Sequence, residues 1–184
     1  MTKLYQQLRD DHKNLVKVLD VLEREIALYD VREETGSEKP DVLLILDIMD
    51  YIQHYPERFH HPLEEAAFDY LNEHNLGNAE EIAAIRAEHK DIEAGSSKIR
   101  TLIDSINLGE AVSLDSLHSA LTQFHIDQLE HLRKEERTVF KDIHALDDSA
   151  SEDILGRIEH RQDPLFAEAA TQQFEALLKY LEHR

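Results

Sequence analysis

The chain has 184 residues, a formal net charge of −19 and no cysteine. Its length suits one domain with a sizeable core. Its acidity argues against nucleic acid or an anionic membrane as a partner, and the missing thiols remove disulfides, thiolate ligands and cysteine nucleophiles.

Apolar residues recur at helical spacing nearly throughout, and only 5 glycines and 4 prolines interrupt them. A first helix is expected from about Leu4 to Glu33, with Leu4, Leu8, Leu15, Leu19, Leu22 and Ile26 on one face. After the loop TGSEKP, a second helix should start near Pro40 and carry Val42, Ile45, Met49 and Ile52. Pro56 should kink or break it, with the helix resuming through Leu71. The turn NEHNLGN leads to a third helix over about 79–107, striped by Ile82, Ile85, Ile92, Ile99, Ile103 and Ile106. The turn NLGEAVS leads to a fourth over about 113–146, striped by Leu114, Leu117, Leu121 and Phe124. Asp147, Asp148 and Ser149 form a loop before a short helix, SEDILGRIEH. Asp163 is expected to cap a last helix with Pro164 at its first position.

Four long helices joined by short turns predict an all-α, antiparallel up-down-up-down four-helix bundle over residues 1–148. Residues 149–184 should add C-terminal helices that pack on the bundle or on a partner, which leaves a homo-oligomer open. No window is apolar enough to span a membrane, and the stretch MTKLYQQLRDDHKN holds no signal-like apolar core. The expected location is the cytoplasm.

The stripes break in a regular way. His12 and His89 stand where an apolar residue belongs on the first and third helices. The fourth-helix stripe continues through Gln128, His131 and Glu135, and the second through His60, Glu64, Ala67 and Leu71. Each bundle helix thus puts a histidine in its core face, and two add a glutamate one turn later. Each uncompensated buried polar group costs about 1–3 kcal/mol, and charges cost more. Six together would consume most of a domain's net stability of about 5–15 kcal/mol. A bound cation would compensate them, because it neutralises carboxylates and accepts imidazole lone pairs.

The chain also repeats itself. RDDHKNL at 9–15 resembles RAEHKDI at 86–92, and HHPLEEAAF at 60–68 resembles HLRKEERTVF at 131–140. Each half supplies a lone histidine and then a His-x-x-x-Glu. Two such helix pairs about a pseudo-twofold axis bring His12, His60, Glu64, His89, His131 and Glu135 together, a ligand set for two metal ions. Carboxylates and imidazoles without sulfur suit iron or manganese, with zinc the alternative. A ferritin-like site would need two Glu-x-x-His motifs, whereas only Glu57 to His60 fits.

His61, Glu65 and Glu136 lie one residue off phase, about 100° around the helix, and are expected behind the ligands or on the surface. His54 and His125 each precede a ligand position by six residues, so a place behind the ligands or on the surface is expected for them as well. Glu93 follows His89 by four and competes as a ligand, but its repeat partner, Val16, is apolar. His74, His118, His144, His160 and His183 follow no pattern and read as surface residues.

The stretches DDHKNL, HHPLEE, EHKDI and HLRKEERTVF, in this order on four helices, resemble the hemerythrin-like, or HHE cation-binding, domain. The resemblance spans about residues 4–146. It implies a non-haem di-iron centre inside the bundle, with His12, His60, His89 and His131 as terminal ligands and Glu64 and Glu135 as bridging carboxylates. Oxygen-carrying hemerythrins have a fifth histidine one turn after the first on the third helix and an aspartate bridge. Glu93 and Glu135 hold those places here, which is closer to members implicated in iron-centre repair, nitric oxide response and iron or oxygen sensing. The expected function is to bind or sense a small ligand (oxygen, nitric oxide or peroxide) or to handle iron. The competing reading is a structural cation-binding or interaction module, inert to small molecules. A third is an oxidoreductase that turns over peroxide.

Overall fold

The computed structural model describes residues 1–30, 39–158, 163–166 and 174–182. They form helices, with no strand among them. Helix α1 (Lys3–Asp30) is followed by α2 (Val42–His54), a π-helical turn (Pro56–His60), α3 (His61–Glu73), α4 (Ala79–Asn107), α5 (Leu114–Arg137), α6 (Val139–His144), α7 (Asp148–Gly156) and α8 (Glu175–Glu182). The expected end of the first helix beyond Asp30, and His160 and His183, lie outside the described residues.

The ends of these helices follow their local chemistry. Asp41 accepts from the amides of Leu43 and Leu44, so α2 begins at Val42 rather than at Pro40. Asn78 does the same for α4, whose first turn carries Glu80 and Glu81 at the positive end of the helix dipole. After α3, Asn75 takes φ 55°, and the Leu76 amide reaches back to the Leu71 carbonyl. After α4, Gly109 takes φ 79°, and the Glu110 amide reaches the Ser105 carbonyl. Both are left-handed C-caps that turn the chain sharply.

Two expectations need correction. The fourth helix does not run to 146, because Thr138 breaks it with φ −111° and ψ −88°. The Thr138 hydroxyl donates to the Lys134 carbonyl and competes with the helix ladder. The short C-terminal helix starts at Asp148, not at Ser151, because Asp147 caps it through the Ala150 amide. Asp163 accepts from the Leu165 amide, as a capping residue does, but 164–166 form a turn, and residues 167–173 lie outside the described residues.

Pro56 does not end the second bundle helix; it opens a π-helical turn. The His60 amide reaches the Tyr55 carbonyl at 3.4 Å, five residues back. Eight residues separate Ile52 from His60, about 800° on an α-helix, which would leave His60 about 80° off the buried face. The wider π turn rotates less per residue and takes up this excess. His60 therefore stays in line with Ile52, facing inward.

The core falls into two apolar clusters. One gathers Leu15, Leu19, Leu22, Ile48, Ile52, Ile99 and Leu121. The other gathers Leu4, Leu8, Phe68, Ile82, Ile85 and Phe140. The six stripe-breaking residues occupy the levels between them. The C-terminal helices contribute to both, with Ala150 and Ile154 in the second cluster and Leu165, Phe174 and Leu177 in the first. Ser151 accepts from the Leu4 amide at the start of α1, and Asp47 accepts from the Ala176 and Leu177 amides at the start of α8.

Asp163 is anchored by the buried Tyr51 hydroxyl, which donates to it at 2.9 Å. Tyr51→Phe should therefore destabilise the fold by about 1.5–3 kcal/mol, the scale of a hydrogen bond to a charged group. Urea unfolding of the two proteins measures this difference.

Candidate metal centre

Helix α1 supplies His12, the π turn His60, α3 Glu64, α4 His89, and α5 His131 and Glu135. All six are buried, and both glutamates have 0% exposure. Glu64 lies 3.5 Å from His12 Nε2, 3.3 Å from His60 Nε2 and 3.4 Å from His89 Nε2. Glu135 lies 3.3 Å from the Nε2 atoms of His12, His89 and His131. The four imidazoles thus aim Nε2 at one central carboxylate pair.

Every imidazole has a second carboxylate behind it. Asp11 faces His60 Nδ1 at 3.1 Å, Glu88 faces His131 Nδ1 at 3.1 Å, Glu65 faces His89 Nδ1 at 3.3 Å and Glu136 faces His12 Nδ1 at 3.6 Å. The first three are hydrogen bonds, and such carboxylate–histidine pairs fix the ring tautomer and turn the Nε2 lone pair inward. Asp11 is itself held by the Tyr55 hydroxyl and the Gln7 amide, and Glu88 by Lys134. Asp11 and Glu88 were not singled out in the sequence. Their signal lies in the repeat, which puts an acid immediately before each lone histidine.

Of the off-phase residues, His61, Glu65, Glu93 and Glu136 come to the centre. His61 is buried, stacks on His89 at 4.2 Å between centroids and faces Glu93 at 3.6 Å. His54 and His125 do not. His54 is exposed and bonds the Asp50 carbonyl, whereas His125 is buried on α5, where burial lowers its pKa against the raising influence of Glu23 and Asp20. Six residues of rotation point them away from the ligand face. His74 and His144 are exposed, and His118 is half-buried against Tyr29.

The donor set fits a cation. Both nitrogens of His12, Nε2 of His60 and His131, both Glu64 oxygens and Oε2 of Glu135 are buried without a hydrogen-bond partner. Among the described residues, three groups hold ligand atoms within 4.8 Å of one another: His12, His60 and Glu64; Glu64, His89 and Glu135; and His61, His89 and His131. Gln128, one turn before His131 on the same buried face, has 0% exposure and neither amide atom bonded.

Without metal, protons do part of the cation's work. Burial pushes His60 down, but Glu64 and Asp11 outweigh it and raise it to about 9. His89 is raised to about 12, where Glu135, Glu64 and Glu65 overcome burial. Burial and Glu64 push Glu135 up, yet His131, His12 and His89 bring it down to about 2.

The pattern of the hemerythrin HHE cation binding domain matches residues 3–143. No curated protein and no solved structure matches the chain. No helix among the described residues is long and apolar enough to cross a membrane.

These proton affinities set a pH dependence for the metal-free protein. A raised histidine stabilises fully below its ordinary 6.5 and loses this as pH rises through about 9 for His60 and towards about 12 for His89. The lowered Glu135 stabilises above its ordinary 4.5 and loses this as pH falls towards about 2. Chelator-treated protein should melt highest between these ordinary values and lower on either side. Thermal denaturation across pH 3–10 checks this.

Proposed function

The chain belongs to the hemerythrin HHE cation binding family, and on that premise we propose that it holds a non-haem, carboxylate-bridged pair of iron ions. The pair serves to bind or sense oxygen, nitric oxide or peroxide, or to hand iron on. The observation that supports this most strongly is the buried set of four histidines and two glutamates, in which Nε2 of His12, His60 and His131, both Glu64 oxygens and Oε2 of Glu135 lack hydrogen-bond partners. His12 and His60 would hold one ion, His89 and His131 the other, with Glu64 and Glu135 spanning both. Oxygen and nitrogen donors without sulfur favour iron or manganese over a structural zinc.

Bound iron would supply Lewis acidity and redox capacity towards a small ligand. The chain's own residues do the rest. Asp11, Glu65 and Glu88 accept from Nδ1 of His60, His89 and His131 and turn each Nε2 towards the centre, while Glu136 stands 3.6 Å from Nδ1 of His12. The two apolar clusters flank the centre along the helices. The unpartnered Gln128 amide offers a donor and an acceptor to a small polar ligand one turn from His131.

Anaerobic loading with ferrous iron tests the assignment. His60→Ala and His131→Ala should each lose at least one of two ions, while the exposed His74→Ala should keep both. Iron lost equally from His74→Ala, or two ions retained by His60→Ala and His131→Ala, would contradict it.

A further inference from the structure

The four acids behind the histidines are not alike, although the repeat pairs them. Behind His89 and His131, both acids are clamped by cations: Arg86 on α4 bonds Glu65 at 2.6 Å, and Lys134 on α5 bonds Glu88. Behind His60, Asp11 takes bonds from neutral donors, the Tyr55 hydroxyl at 3.0 Å and the Gln7 amide at 2.8 Å. Asp11 is also buried, whereas Glu65 and Glu88 are half-buried. Behind His12, Glu136 is exposed, and the nearby Arg9 guanidinium gives its hydrogen bond to the Tyr5 hydroxyl. A carboxylate behind an imidazole strengthens the pull on a bound cation. A lysine or arginine clamped on that carboxylate subtracts from the pull. Asp11 keeps its charge where water does not screen it, so His60 is the most strongly backed of the four ligands.

Access divides the same way. A cleft of about 730 Å³ between α3 and α4 is lined in part by His89, Glu65 and Arg86. A second cleft, of about 290 Å³ between α4 and α5, is lined in part by His131, Glu88 and Lys134. His12 and His60 line neither. The more weakly backed pair is therefore the pair that a chelating group can approach from solvent through these clefts.

From these two contrasts the structure assigns unequal parts to the two ions: the ion at His12 and His60 is resident, and the ion at His89 and His131 is exchangeable, released first to a chelating acceptor. The assignment rests on the two-ion reading. Arg86 and Lys134 act through Glu65 and Glu88, loosening the second ion without touching it. Where the protein hands iron on, this is the ion that leaves.

The test is cobalt(II) release from the doubly loaded full chain into excess EDTA, followed by visible absorption in stopped flow, with bound cobalt counted beforehand. The wild type should lose its ions in two phases at least about tenfold apart, the scale on which groups around a metal tune binding. Lys134→Met should slow the fast phase alone, and Lys134→Arg, which keeps the charge, should leave both phases as they are. Asp11→Asn should quicken the slow phase alone. A single phase, or a fast phase unmoved by Lys134→Met, would overturn the assignment. So would an Asp11→Asn that quickens the fast phase, which would put the exchangeable ion at His60. Lys134 is only half-buried, so its variants decide the question even where Asp11→Asn fails to fold. A wild type that binds fewer than two cobalt ions would instead sink the two-ion reading itself.

Discussion

Two carboxylates, Glu64 and Glu135, stand fully buried at the centre of a helical bundle, and their charge is the constraint that the surrounding structure answers to. An anion in such a place is tolerated only with opposite charge beside it. Four imidazoles surround the pair, and four further acids stand behind the imidazoles. The result is layered: anion, imidazole, anion, then solvent. A metal ion at the centre would replace the protons that otherwise hold this arrangement together.

The fold is shaped to deliver these groups to one level. The π turn after Pro56 corrects the rotation of the second bundle helix so that His60 and Glu64 both face inward. The break at Thr138 comes directly after the turn that carries Glu135 and Glu136. The two apolar clusters clamp the polar layer from either side. The acids behind the histidines obey the pseudo-twofold repeat: Asp11 serves His60 as Glu88 serves His131, and Glu65 serves His89 as Glu136 serves His12.

The histidines at 12, 60, 89 and 131 were legible in the sequence because the helical period turns spacing into facing. A polar residue in an apolar stripe announces itself. Asp11 and Glu88 were not legible, though the repeat contained them, because each serves a histidine on a neighbouring helix. That pairing depends on how the helices cross, which spacing along one helix does not encode. His61 is similar: one residue off phase, it gains its meaning only from the ring of His89 across the α3–α4 contact. The π turn and the Thr138 break were hidden for another reason. Both are choices of backbone hydrogen bonding: only the out-of-phase step from Ile52 to His60 hints at the first, and the helical stripe runs past the second.

The central claim is that this layer holds a reactive pair of iron ions. The most direct measurement is metal analysis of protein purified without added metal, joined to its visible spectrum before and after azide. Two iron ions per chain, with an oxo-bridge absorption band that shifts on azide, are the expected result. One zinc ion or no metal, with no visible band, would contradict the claim and point to a bundle in which the cation is structural.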